Sequence, residues 1–433
     1  MSGPRVVVVG AGLAGLVAAT RLVGEGVACT VLAKGLGGLT LSPGTIDVLG
    51  YAPETVVEDL PGAVAAFVAD NPDHPYAQLA GGAIGRGIDV LRDAVQPVRL
   101  EGDGQRNMLL PTIIGGVRPT ASAPGGLAAG ALAAGARYLL VGFDAMRDAP
   151  MGLCAANLPL SAAARGIPDV TARAVTLRSS PRPGEADVGT VTFARAFDDP
   201  VFMARVAAEL RPMVRPGELV AFPAVLGMDR SLEVIAELAA RVGAPVCEIA
   251  TIPPSVPGMR MDAALRRRLA QAGCPVVIGP TVLDLERDAG GRVTTMRVEA
   301  GGGVDPRAVD AVILATGGLA SGAIHVDSRG TMRETVADLP LAHDPGVDAR
   351  FDASASGRHP GMAIGVAVDG DMRPLAADGT PWAPNVFVAG ALIGGALPWR
   401  EGSGEGICLA SAVTAADAAA RAVNVVASGG GAA

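Results

Sequence analysis

The sequence predicts an α/β fold: a parallel sheet interleaved with helices and split by an inserted domain. Three observations carry this. The valine run Val6–Val9 leads at once into Gly10-Ala11-Gly12-Leu13-Ala14-Gly15. A second apolar run, DAVILA, ends in Ala315-Thr316-Gly317-Gly318 about 300 residues later. A third, NVFVAG, meets a glycine-rich loop and a last helix. Short, unbroken apolar runs of this kind suit strands buried on both faces, the usual state in a parallel sheet. The expected layout is one discontinuous cofactor-binding domain over 1–50 and 258–433, with a substrate- or partner-facing domain inserted over 51–257.

The elements follow in order. After Val6–Val9, a helix runs from the glycine turn to about Val23 and stops at Gly24 and Gly26. ACTVL (28–32) is the second buried strand. In the middle, VVEDLPGAVAAFVAD and GRGIDVLRDAV have helical patterns, while SPRPGEADVG and ELRPMVRPGE are surface loops. ELVAFPAVLG, SLEVIAELAARVG and APVCEIA form a strand–helix–strand unit. MDAALRRRLAQAG is a helix with Gly273 as its stop, and PVVIGPTVLDLERDAGGRVTTMRVE is a set of strands joined by an Ala-Gly-Gly turn. The last helix spans about Glu405 to Val423.

Composition limits the partners. With Lys+Arg 35 against Asp+Glu 43 the net charge is −8, so the surface offers no broad footprint for nucleic acid or anionic lipid. A small anionic substrate in a local arginine pocket remains compatible. The five cysteines contain no C-x-x-C pair, which argues against a disulfide scaffold and against an iron–sulfur cluster or other metal held by this chain alone. The apolar N-terminal run is broken by regularly spaced glycines and lacks a basic flank, so no signal peptide or direct membrane span is expected. The expected location is the cytoplasm. Aromatics make up only 3% of the chain, so alanine and valine are expected to build the core.

The glycines carry the chemistry. Gly10-x-Gly12-x-x-Gly15 sits between a strand and a helix, where three glycines permit a tight turn, close approach to a phosphate, and close helix–strand packing. The free N–H groups of Gly12, Leu13 and Ala14 and the helix dipole then favour an anion. The carboxylate that usually ends the second strand to bind an adenosine ribose is missing, because the strand ends Ala33-Lys34. Either the ribose is held otherwise, or the ligand carries a phosphate there. Lys34 is placed to pair with a phosphate, favouring FMN or NADP over NAD; the alternative is a solvated lysine. Ala315, Thr316 and Gly317 mark the strand that returns to the cofactor in a two-dinucleotide-fold flavoprotein with a Rossmann-like parallel sheet. Gly390 and Ala391 follow the next strand, with Ala391 where an acidic residue often binds the ribityl chain. Gly404, Glu405 and Gly406 open the last helix, whose N-terminus would stabilise negative charge on a reduced flavin pyrimidine.

Taken together, the chain resembles the B-subunit family of the anaerobic glycerol-3-phosphate dehydrogenase nearly end to end. GAGLAGL, LSPGTIDVLG, the HPY at His74–Tyr76, TIPPSVPGMRM (251–261), ILATGGLASG, RGTMRET and NVFVAGALIGG carry the resemblance. It implies a flavin, usually FMN with FAD as the alternative, and adds Ser42 and Thr45 to the cofactor-binding positions. It also implies a catalytic A subunit, an iron–sulfur C subunit linking the complex to the inner face of the membrane, and oxidation of sn-glycerol 3-phosphate with electrons passed to quinone. Two alternatives stay open: an electron-relay or assembly subunit, and a fumarate reductase-like oxidoreductase acting on another small anion. The chemistry requires a base for the substrate hydroxyl and cationic donors for its phosphate. His359 and His74 are the candidate bases, and Arg260 and Arg400 the candidate cations.

Overall fold

The computed structural model describes residues 5–429. The elements used below are β1 (Val6–Val9), α1 (Leu13–Gly24), β2 (Cys29–Ala33), α2 (Leu60–Asp70), α3 (Ala83–Ala94), β3 (Met108–Pro111) and β4 (Val117–Thr120). They continue with β5 (Arg137–Phe143), α4 (Met151–Ala164), β6 (Thr171–Leu177), α5 (Thr190–Phe197), α6 (Pro200–Leu210), β7 (Leu219–Pro223), α7 (Ser231–Val242) and β8 (Val246–Ile249). The last group is α8 (Val256–Gln271), β9 (Val276–Ile278), β10 (Thr281–Arg287), β11 (Val293–Ala300), β12 (Gly303–Ala308), β13 (Ala311–Leu314), β14 (Val386–Val388) and α9 (Gly404–Gly429).

The first sheet is parallel with strand order β9-β2-β1-β13-β14. Its central strand, β1, is valine throughout and buried on both faces, as the unbroken run predicts. Opposite β1, the register Val6↔Ala311 through Val9↔Leu314 brings the two glycine-rich loops to the same sheet edge. Helix α9 packs against α1 and α3. Its buried face is largely alanine, and a Cβ on Gly87 of α3 would stand 2.7 Å from the Leu409 backbone. Small residues therefore set the helix spacing. Gly404–Asn424 is long and apolar enough to cross a membrane, yet 78% of its most apolar stretch is buried in the protein, as in a core helix.

The second sheet is also parallel, with order β8-β7-β5-β6. The chain starts at an inner strand and winds outward on both sides. Here the core is aromatic: Phe143, Phe193, Phe197, Phe202 and Phe222 form one cluster, five of the chain's 8 phenylalanines. Alanine and valine dominate the first core, but the second packs around rings. The two cores also divide the chain differently from the simple insertion over 51–257. Val57, Leu60, Ile88, Leu91, Leu100 and Ala121 are buried with the first sheet, whereas the second core draws on Ile113 and on residues from Tyr138 to Val256. An antiparallel sheet, β10-β11-β12, flanks the first sheet.

Candidate functional site

The three glycine segments converge at the C-terminal ends of β1, β13 and β14. Gly10 has φ +117°, and a Cβ on it would stand 2.1 Å from the Ala315 carbonyl oxygen. A Cβ on Gly15 would stand 2.0 Å from the Gly10 carbonyl oxygen. The β1–α1 turn is thus squeezed between the returning strand and its own helix, and only hydrogen fits at either position. Gly318 approaches Ala391 just as closely, with 2.5 Å from a would-be Cβ to the Ala391 carbonyl oxygen. Gly390 packs against the Ala14 side chain and donates its N–H to Ser411 Oγ at 2.9 Å. From the second strand's exit, Gly37 folds over Gly12, where a Cβ would come within 2.7 Å of Gly12.

At Gly12 itself the space is open: a Cβ would meet nothing within 4 Å. Gly12 is also the N-cap of α1, and no side chain caps that helix. Its first N–H groups are therefore left without a side-chain cap, the arrangement that binds a phosphate. The buried Thr316 hydroxyl in the returning loop has no hydrogen-bond partner within the protein. Open space at the Gly12 Cβ position, an uncapped helix start and an unsatisfied hydroxyl in the returning loop fit a flavin phosphate and its ribityl chain. Lys34 is exposed and makes no ion pair among the described residues.

The start of α9 carries a second concentration of polar groups. Gly406 N–H donates to the Asp47 carbonyl at 2.9 Å, drawing the LSPGTIDVLG segment onto the helix. The buried Asp47 carboxylate is bound by Arg118, which donates Nε at 2.9 Å and adds a close Nη2 contact. Burial, and then the Asp47 carboxylate, push the Glu405 carboxyl up to about 8, with Arg118 acting in the opposite direction. Nearby, Tyr76 donates its hydroxyl to the Val48 carbonyl at 2.6 Å, and burial followed by Glu401 raises that phenol well above its ordinary value.

His74 lies inside this network. It is buried, and its Nδ1 accepts from Tyr76 N–H at 3.2 Å, so the Nε2 proton points to Glu401 Oε2, 3.2 Å away. Burial alone would raise the Glu401 carboxyl, but donors from His74, Ser403 and Leu397 outweigh it and hold the group below its ordinary value. The ring thus has both nitrogens engaged. Arg260 is engaged too, with Nη1 and Nη2 on Glu248 at 2.7 and 3.0 Å and Nε on the Gly227 carbonyl at 2.8 Å. Expected as a phosphate clamp, it closes an ion pair between α8 and the end of β8.

His359 and Arg400 share a different face. His359 sits at φ +47° with Nδ1 accepting from Asp352 N–H at 3.3 Å, and its ring lies near Phe351 and Trp399. Arg400 pairs with Glu54 at 3.0 Å and donates to the Ser356 and Gly357 carbonyls. Ser42 Oγ accepts from Gly44 N–H at 3.2 Å, closing its own turn. The Thr45 hydroxyl is buried and has no partner within the protein. Sequence reasoning singles out Glu405 but misses Asp47, Arg118, Glu401 and Glu248. Asp47 lies within LSPGTIDVLG, so that segment could have pointed to it; Arg118 has only a charge on a short strand to mark it.

A family model described as an FAD binding domain matches residues 5–407. A Halobacterium salinarum protein named as the probable B subunit of an anaerobic glycerol-3-phosphate dehydrogenase is 34% identical, over 97% of this chain and 98% of its own length. The B subunit of the anaerobic glycerol-3-phosphate dehydrogenase of Yersinia pestis is 30% identical, over 95% of this chain and 97% of its own. Among solved structures, the 3-ketosteroid delta1-dehydrogenase of Sterolibacterium denitrificans has a TM-score of 0.43 at 13% identity, over 97% of this chain and 99% of that one.

Proposed function

The chain belongs to the B-subunit family of the anaerobic glycerol-3-phosphate dehydrogenase, within the wider family of FAD binding domains, and from that premise we propose that it takes part in the oxidation of sn-glycerol 3-phosphate. The product in this reading is dihydroxyacetone phosphate, and the electrons go on to quinone. The carrying observation is the convergence of Gly10–Gly15, Ala315–Gly318 and Gly390-Ala391 on one sheet edge beside the start of α9. When bound, the flavin supplies the acceptor for the hydride leaving C2 of the substrate.

The chain's own residues do the rest. The N-terminus of α1 would hold the cofactor phosphate, and Gly318 and Gly390, each pressed against protein atoms, pack the returning strands tightly beside it. The first turn of α9 would offer its dipole to negative charge at the ring, its Gly406 N–H being spent on the Asp47 carbonyl. Glu405, on the first turn of α9, is held above the ordinary carboxylate range by burial and by the Asp47 carboxylate, so it keeps its proton beside the Asp47–Arg118 pair. His74 and Arg260 are positioning residues here, holding Glu401 and Glu248.

The absence of a carboxylate at Ala33-Lys34 supports FMN, while the family description supports FAD. A catalytic partner and an iron–sulfur partner, with the chain on the cytoplasmic face of the membrane, complete the proposal. Its test is purification with those partners, mass identification of the flavin released on denaturation, and turnover of sn-glycerol 3-phosphate with an artificial acceptor. FMN and turnover are expected. FAD would overturn the argument from the missing carboxylate, and a flavin-loaded complex without turnover would overturn the assigned reaction.

A further inference from the structure

A cavity of about 270 Å³ lies between the two parallel sheets. One wall is the Leu41–Thr45 segment beside α9. A second is the β3–β4 hairpin, with Thr112 just past the end of β3 and Arg118 on β4. The third is the chain leaving β8, Ala250 to Pro253. That size falls just below the range of sites for drug-sized ligands, about 300–1,000 Å³.

The polar lining is unsatisfied to an unusual degree. Thr45, Thr112 and Thr251 all line this one cavity, and none of their hydroxyls has a hydrogen-bond partner within the protein. Thr45 is 2% and Thr251 is 7% exposed, so these groups are costly to bury unless something bonds them. Arg118 spends Nε and Nη2 on Asp47, and its Nη1 makes no hydrogen bond among the described residues. Of the carboxylates nearby, Glu248 is bound by Arg260 and by Leu226 N–H at 2.8 Å, and Asp47 Oδ2 by Arg118, while the buried Asp47 Oδ1 has no hydrogen-bond partner within the protein.

We infer that this cavity binds a small hydroxyl- and oxyanion-bearing ligand, a three-carbon polyol phosphate, held by Thr45, Thr112, Thr251 and the free edge of Arg118. The class rests on the reaction proposed above; the site rests on the cavity and its orphan hydroxyls. The apolar remainder of the wall, including Leu110 and Ile252, fits a carbon chain between polar ends. The assignment also gives TIPPSVPGMRM a purpose. Ser255 N–H donates to the Thr40 carbonyl at 3.1 Å, and a Cβ on Gly258 would stand 2.2 Å from the Leu39 carbonyl oxygen. This segment therefore binds the second sheet to the cofactor side and fixes Thr251 across from Thr45.

Thr112→Val and Thr251→Val test the site. Each removes a hydroxyl that bonds nothing within the chain, so the ligand-free protein should keep its flavin content and melt at or above the parent temperature. Calorimetric titration with sn-glycerol 3-phosphate, and separately with inorganic phosphate, should show Kd for the phosphate ester rising about 3- to 20-fold in each variant, the worth of one hydrogen bond. An unchanged Kd, or no binding of either probe by the parent protein, would overturn the site. Weakened binding in the variants without flavin reduction would leave the site standing and overturn the reaction. Flavin reduction with the same half-saturation in parent and variants would leave the reaction standing and overturn the site.

Discussion

The Arg260 guanidinium meets the Glu248 carboxylate edge to edge, at 2.7 and 3.0 Å, with side-chain exposures of 5% and 0%. It ties the helix entering the cofactor side to the last strand of the second sheet. Removing one partner of such a pair leaves a buried charge uncompensated. Arg260→Met should therefore lower unfolding stability by about 3–5 kcal/mol in urea titration, and adding Glu248→Gln should recover part of the loss.

Gly12→Ala separates cofactor binding from folding. The backbone there is ordinary, φ −80°, and the added methyl meets no protein atom within 4 Å. Stability should stay within about 1 kcal/mol of the parent, while flavin affinity falls about tenfold or more because the methyl fills the phosphate's place. Gly15→Ala should instead damage the fold itself, since its methyl meets the Gly10 carbonyl. Thermal melts paired with flavin titration distinguish the two variants.

Glu405 sets a pH dependence. Its folded value near 8 lies above the ordinary 4.5, so the folded state holds the proton more tightly than the unfolded chain does. Stability should fall as pH rises through the window from about 4.5 to 8, by up to about 1.4 kcal/mol per pH unit. Glu405→Gln should flatten that slope and be more stable than the parent above pH 8. Melting temperatures of both proteins across the window check the sign.

Tyr76 anchors the start of α9 through its hydroxyl, donated to the Val48 carbonyl at 2.6 Å with the Ser403 carbonyl at 3.3 Å. Tyr76→Phe should cost about 1–2 kcal/mol in chemical unfolding, the loss of a buried hydrogen bond.

Local signals are legible in the sequence. The valine run, the glycine turn and the Ala-Thr-Gly return appear where expected because each needs only its neighbours to be recognised: β1, α1 and β13 follow from runs and breakers within about ten residues. The strand–helix–strand unit is β7–α7–β8 for the same reason. β5 and β6 escape such reading, since RYLLVGF sits at the end of an alanine- and glycine-rich stretch, and TARAVTL is half-buried on an outer strand without a clean alternation. The cluster at α9 is illegible for a different cause. Asp47, Arg118 and Glu405 are joined by packing across more than 350 residues of chain, and no local pattern records that. Arg260 misleads because a proline-rich loop before an arginine suggests a fixed ligand arm, and its partner Glu248 lies on the preceding strand.

The most direct test of the central claim is spectroscopic: anaerobic addition of sn-glycerol 3-phosphate to the flavin-loaded protein with its partner subunits. The account predicts bleaching of the flavin absorbance, reversed by a quinone analogue. A flavin that keeps its full absorbance in the presence of saturating substrate would contradict it.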